Sequence, residues 1–329
     1  MATYKGIQGY SIQTLASDPS PTASVEGQVW YNSTSGAYKI AIAGAGTWAA
    51  STAVNTARRS MASAGTTTAA LLAAGIDGPG SSWVEKWNGS TWTEVQNTIT
   101  GRQYLKGAGT PSAFIACGGV HTGPVFDLTE LYDGTSWSEV NNMNTARQSM
   151  GMASGGSTTA SLIFGGGPVP STYYDLTERW NGTSWSEVAD LNSARKLLSG
   201  AGTSTAALAM AGKTPPSTDV AIAELWNGTS WSEVADLDNA RSGGAGGGIS
   251  TSALYWGGNP NSPGVYTESW NGTAWSEVGN LGNKAAGGGR AGTSNTNALA
   301  IAGYNGSANI STMEEWASPV YGVKTVTVS

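Results

Sequence analysis

Residues able to do covalent or metal chemistry are scarce in this sequence, and that scarcity is its first constraint. Among 329 residues there is one histidine, His121, and one cysteine, Cys117. A single imidazole excludes paired-His metal sites and leaves one candidate for a His-based triad. A single thiol excludes an intrachain disulfide and a thiolate cluster. No Gly-x-Ser-x-Gly elbow occurs, and no glycine-rich phosphate loop leads a strand into a helix. The sequence therefore assigns no catalytic residue, no metal ligand and no cofactor, and the chain reads as a non-enzyme. The one acid pair to carry forward is Asp175 with Asp219, the minimum that a glycan-active enzyme would need.

Most of the charge belongs to a pattern. Arg58, Arg102, Arg147, Arg195, Arg241 and Arg290 each stand near the opening of one of six similar units, the last in a glycine-rich variant. Glu85, Glu130, Glu178, Glu224, Glu268 and one of Glu314 and Glu315 precede an aromatic residue later in each unit. Glu94, Glu139, Glu187, Glu233 and Glu277 follow a second aromatic. This recurrence is what repeated ion pairing of buried groups requires. The other use of six equivalent arginines is a ring at a channel mouth that holds an anion, at the cost of mutual repulsion when empty.

The elements that position these residues form a repeat array. Glu178-Arg-Trp-Asn-Gly-Thr-Ser-Trp-Ser-Glu-Val188 recurs from Glu224 to Val234 and from Glu268 to Val278, and with small changes from Glu85 and Glu130. Its second Trp falls at 92, 137, 185, 231 and 275, giving spacings of 45, 48, 46 and 44. Each unit adds a Gly-Thr/Ser turn and a short apolar run ending in Gly-Gly or Ala-Gly, as in Leu208 to Gly212. Asn-Gly, a preferred pair for a tight hairpin turn, joins the last two strands. No segment offers helical periodicity. Four short strands, A to D, repeated at this period predict an all-β propeller. Eleven Trp (48, 87, 92, 137, 180, 185, 226, 231, 270, 275 and 316) then fill the wedges between blades. Seven Asn-x-Ser/Thr sequons read as turn chemistry rather than glycosylation sites.

The apolar strand ending in a glycine doublet, followed by a spaced aromatic and a Trp, resembles the kelch repeat over residues 48 to 321. The resemblance implies a kelch-like β-propeller of four-stranded blades. Residues 4 to 50 span nearly one period, so the expectation is seven blades, with 1–52 as a degenerate first blade and 53–329 as six repeats. In that blade Gly6 to Leu15 and Gln28 to Asn32 are strands A and B, and Tyr38 to Ala43 with Thr47 to Ser51 are C and D. The alternative is six blades plus an N-terminal attachment module. Gly27-Gln-Val-Trp-Tyr-Asn-Ser-Thr34, followed by Ala37-Tyr-Lys-Ile40, is similar to a hairpin of bacteriophage virion and tail-appendage proteins. That likeness implies a virion component.

A net charge of −6 and a pI near 4.8 give no electrostatic footprint for nucleic acid. No run of 18 apolar residues supports membrane insertion, and no apolar leader begins the chain, so synthesis in a host cytoplasm is expected. The B-to-C connections share little sequence, while the C-to-D turns are nearly identical. In a propeller all B-to-C and D-to-A connections emerge on one face. The candidate binding residues on it are Trp83, His121, Phe126, Tyr173, Tyr174, Asp219, Tyr266 and Tyr304. Aromatics beside short polar side chains suit sugar stacking or protein contact. The expected function is a structural or binding propeller of a phage particle, whose partners are other virion proteins or a host-surface glycan or protein. The alternative is a lectin or glycan-active enzyme of bacterial origin.

Overall fold

The structure is a computed structural model that describes residues 12–20, 27–44, 46–77, 81–168, 171–259, 264–318 and 321–326. It is all-β, and the chain divides into two compact units, Met1–Gly46 with Ser318–Ser329, and Thr47–Ala317. The larger unit holds six four-stranded antiparallel sheets that build a β-propeller. The first comprises Ala62–Thr66, Ala69–Gly75, Ser81–Trp87 and Trp92–Val95. The fourth comprises Ser199–Gly202, Ala207–Met210, Ala223–Trp226 and Trp231–Glu233, with a side hairpin of Lys213–Thr214 and Thr218–Asp219 between its second and third strands. The sixth is Gly289–Ser294, Asn297–Tyr304 and Asn309–Ala317, completed by Thr47–Ser51 from the start of the unit.

That last pairing departs from the seven-blade expectation. Thr47–Ser51 lies antiparallel to Asn309–Ala317, with Trp48 opposite Trp316, and is not a hairpin partner of Ala37–Ala43. Ala37–Ala43 instead sits between Val29–Asn32 and Tyr321–Thr325 in the smaller unit. There Gln13–Leu15 pairs parallel to Val29–Asn32, an arrangement no propeller hairpin would give. The rest of the expected first strand, 6–11, lies outside the described residues. Trp48 and Trp316 lie 5.4 Å apart across this pairing, a cross-strand aromatic contact that rewards the closure.

Two closed rings of backbone hydrogen bonds join the six blades. The second glycine of each doublet donates its N–H to the carbonyl of the next blade's opening residue, from Gly75 to Arg102 around to Gly303 and Arg58, at 2.8–3.0 Å. Two residues beyond each opening position, Ser60, Tyr104, Ser149, Leu197, Gly243 and Gly287 each donate to the carbonyl of the preceding member, at 2.6–3.0 Å, and Ser60 closes the circle on Gly287. All six have φ between 54° and 68°, although four are not glycine. The doublet is therefore a seam between blades. At its second position, Gly75 has φ +110°, and an added Cβ would lie 2.8 Å from the Arg59 carbonyl, so only glycine fits.

Five of the six blades are locked by a buried ion pair. Arg58–Glu85, Arg102–Glu130, Arg147–Glu178, Arg195–Glu224 and Arg241–Glu268 lie at 2.8–3.1 Å with both side chains fully buried. The same carboxylates accept N–H groups from the loop entering the blade, such as Asn192 to Glu224 at 2.7 Å. The arginines are thus structural and form no anion ring. Arg290 is a correction: the sixth blade opens with Ala285, and Arg290 sits five residues further on, inside the innermost strand. Without an arginine partner, Glu314 takes the N–H groups of Gly282 and Asn283 at 2.7 and 2.9 Å.

The tryptophans pack between blades, as the repeat predicts. Ten of the eleven are buried and Trp48 is half-buried. Trp226 and Trp231 stack at 5.4 Å, Trp231 meets Phe164 of the preceding blade edge-on at 4.9 Å, and its Nε1 donates to Thr177 Oγ1. The Asn-Gly turns also hold: Asn181 Oδ1 accepts the N–H groups of Thr183 and Ser184, and Gly182 has φ +95°.

Trp231→Ala should destabilise the fold by about 3–5 kcal/mol, the usual cost of emptying a large aromatic site. Trp83, which is 44% exposed, should lose well under 1 kcal/mol on the same change. Equal shifts in denaturant midpoint for the two variants would overturn this assignment. Arg195→Ala should also cost about 3–5 kcal/mol, because it strands the Glu224 carboxylate in the core. An unchanged thermal melt would show that the pair carries no such weight.

Candidate binding site at the channel mouth

The hydrogen-bonded ring of left-handed residues frames an axial cavity of about 360 Å³. Its lining comes from two sources. The segments entering the first strands supply Arg59, Tyr104 and Ser242, and the ends of the second strands with the B-to-C connections after them supply Tyr304, Lys213 and Asn259. Both kinds of connection therefore share one face, as the alternation of four-stranded blades requires. The left-handed turn is what brings them together: it folds each chain across the axis before the strand begins, leaving the side chains on either side of it at the rim.

The rim is a set of polar pairs between neighbouring blades. The guanidinium of Arg59 stacks on the Tyr304 ring at 4.3 Å and donates to Asn309 Oδ1 at 3.0 Å. Lys196 lies over the Tyr173 ring at 4.3 Å, and the Tyr173 hydroxyl donates to the Pro216 carbonyl at 3.1 Å. Asp219 forms an ion pair with Lys213 at 2.9 Å and accepts from Asn259 Nδ2 at 3.3 Å. Burial alone would raise the Asp219 carboxyl, but hydrogen bonds from Lys213, Ser242 and Asn259 outweigh it and hold the group below its ordinary value.

The sequence candidates separate into three groups. Tyr304 lines the cavity, Asp219 joins its rim through Lys213, and Tyr173 reaches the side hairpin that carries Lys213 through the Pro216 carbonyl. Phe126, Tyr174 and Tyr266 are half-buried in B-to-C connections, and their backbones tie those connections to the blades: the Tyr266 carbonyl accepts from Arg241 at 2.6 Å and that of Tyr174 from the Arg195 N–H at 3.0 Å. Trp83 lies within the strand Ser81–Trp87 rather than in a loop. His121 Nδ1 is buried without a hydrogen-bond partner among the described residues. Cys117 is buried, and burial pushes its thiol up to about 12, leaving no thiolate for chemistry at neutral pH. Asp175 receives the Leu191 N–H through its backbone carbonyl, and the hydrogen-bond partners of the Asp219 carboxylate are Lys213, Ser242 and Asn259. Among the described residues no group of three metal-ligating side chains occurs.

Sequence reasoning passed over Arg59, Tyr104, Lys196 and Lys213. A signal for Arg59 and Lys196 was present: directly after the fixed opening arginine the units read Arg59, Gln103, Gln148, Lys196, Ser242 and, after Ala285, Ala286. A position that varies beside one that does not is exposed to something other than the core.

No protein-family model matches the chain, and no curated protein matches it. Among solved structures, one titled "Structure of YjhT" is similar, with a TM-score of 0.65 at 13% identity, covering 84% of this chain and 99% of that one. That likeness concerns the fold alone.

The Asp219 cluster has a measurable sign. A folded pKa held below the ordinary 3.8 means that the carboxylate's contacts stabilise the rim above that pH, and that this support is lost as pH falls through the folded value. A carboxyl NMR titration should place the Asp219 midpoint below 3.8 and move it upward in Lys213→Met. A native midpoint above 3.8 would mean that burial, not hydrogen bonding, governs the group.

Proposed function

We propose that the chain is a non-enzymatic, kelch-type binding propeller of a bacteriophage particle, a tail-appendage or other virion protein that contacts a host-surface glycan or protein, or another virion protein. One observation carries this reading: the polar residues that repeat are consumed in holding the blades, whereas those that differ from blade to blade gather at the channel mouth. A glycan-active enzyme would need a second carboxylate beside Asp219, where Lys213 and Asn259 stand.

The hairpin that resembles virion proteins adds support as a folding device. Trp30 Nε1 and Asn32 Nδ2 both donate to Asp18 Oδ1, at 2.9 and 2.7 Å, while Asn32 Oδ1 caps the turn by accepting from Thr34 and Ser35. Those bonds, from Asn32 first and then Trp30, hold the Asp18 carboxyl below its ordinary value. The Trp-Tyr-Asn-Ser-Thr run thus encodes a small self-contained clasp, of a kind that a modular particle protein would reuse.

The chain should be recovered in purified particles of the phage that encodes it, and the isolated protein should bind that phage's host envelope without releasing product. Changing Tyr173 and Tyr304 together to Ser should abolish that binding and leave the melting temperature within a few degrees, because large aromatic anchors dominate contact surfaces. Turnover of envelope glycans, or full binding by the double variant, would overturn the reading.

A further inference from the structure

Below the rim, the innermost strands place two long cations among small residues. Aligned on the blade openings, one layer of the shaft holds Ala62, Lys106, Gly151, Ser199, Ala245 and Gly289. The next layer holds Ser63, Gly107, Met152, Gly200, Gly246 and Arg290. One long cation fits each layer because its counterparts are small, except Met152, whose side chain packs into the core with Ile163 and Trp180.

The two cations are used differently. Arg290 crosses the axis and is saturated by protein: its guanidinium donates to Ser199 Oγ and to the carbonyls of Gly200, Gly246 and Met152, at 2.7–2.9 Å. It is a plug, and none of its acceptors is a carboxylate. Lys106 lines both the wide cavity and the narrow space beneath it that Arg290 also lines. Among the described residues its ammonium makes no hydrogen bond or ion pair, and no acid lines either space. In a protein of net charge −6, positive charge is thus concentrated at the axis: Lys106 and Arg290 in the shaft and Arg59 at the rim, where Lys213 is offset by Asp219. A narrow shaft focuses such a field and leaves a half-buried, unpaired cation in want of a counter-ion.

We propose that this shaft is an anion site, in which a small oxyanion, carboxylate or phosphate, enters through the hydrogen-bonded ring and pairs directly with Lys106 Nζ above the fixed charge of Arg290. The site does not depend on attachment through the outer aromatics. Burial, and then the nearby Arg290, draw the Lys106 ammonium down to about 7, the behaviour of a cation with no partner.

The test uses the full chain, with inorganic phosphate and acetate as separate probes and chloride at matched ionic strength as the control. Either probe should raise the melting temperature above the chloride control. Lys106→Met should remove that rise while melting no lower than the native protein, since it deletes an uncompensated charge at a position where neutral residues stand in five blades. Lys213→Met, at the rim, should keep the rise. In the native protein, acetylation of Lys106 by acetic anhydride at pH 7, read by peptide mass spectrometry, should outpace that of the surface lysines and slow at least tenfold when the anion is present. Acetate acting alone would assign the site to carboxylates, and phosphate acting alone to phosphates. A rise that persists in Lys106→Met, or no rise over chloride with no protection of Lys106, would overturn the proposal.

Discussion

Six left-handed backbone turns, each hydrogen-bonded to the next, are the constraint on which the propeller depends. A ring of this kind closes only if every member has the same handedness and every blade advances by the same angle. A side chain at positive φ costs about 1–2 kcal/mol. Ser60, Tyr104, Ser149 and Leu197 adopt it nonetheless, because losing one member would leave its neighbours' N–H and C=O groups unpaired. The ion pairs serve the same end. Each glutamate holds the entering loop and each arginine holds the glutamate, so the residue two places on is delivered to the axis in the right conformation.

Scaffold and rim are separated along the chain by one or two residues. Arg195 is wholly structural, Lys196 faces the rim on Tyr173, and Leu197 belongs to the ring. That spacing lets the rim vary without disturbing the fold. It also explains why the rim is cationic although the protein is acidic: the exposed glutamates of the outermost strands lie far from the axis, where they add to the net charge but not to the field in the shaft.

How much of this was legible in the sequence depended on whether a residue repeats. The tryptophans, the Asn-Gly turns, the glycine doublets and five of the arginines recur at one period, and packing between equivalent blades demands recurrence; their roles could be read without coordinates. Arg290 misled because it is an arginine close to the right place, and only strand register separates position five from position zero. Thr47–Ser51 misled for a related reason. Its Trp fits the fourth-strand pattern, and it does form a fourth strand, but its partner lies more than 260 residues away. Lys106 was invisible, since one lysine in a repeat carries no period, and its significance comes from the small residues at the same level of five other blades.

The closing strand also has a consequence in time. Thr47–Ser51 leaves the ribosome before any complete blade, yet its partner Asn309–Ala317 follows roughly 260 residues later. At the ordinary pace of synthesis, about 5–20 residues per second, that delay is on the order of tens of seconds. Through that interval the nascent chain carries an unpaired edge bearing Trp48, the kind of template that invites pairing with another chain. Two copies emerging side by side could exchange this strand and still satisfy every bond. The same segment that makes the finished ring continuous is therefore the point at which a crowded polysome could join two rings into one.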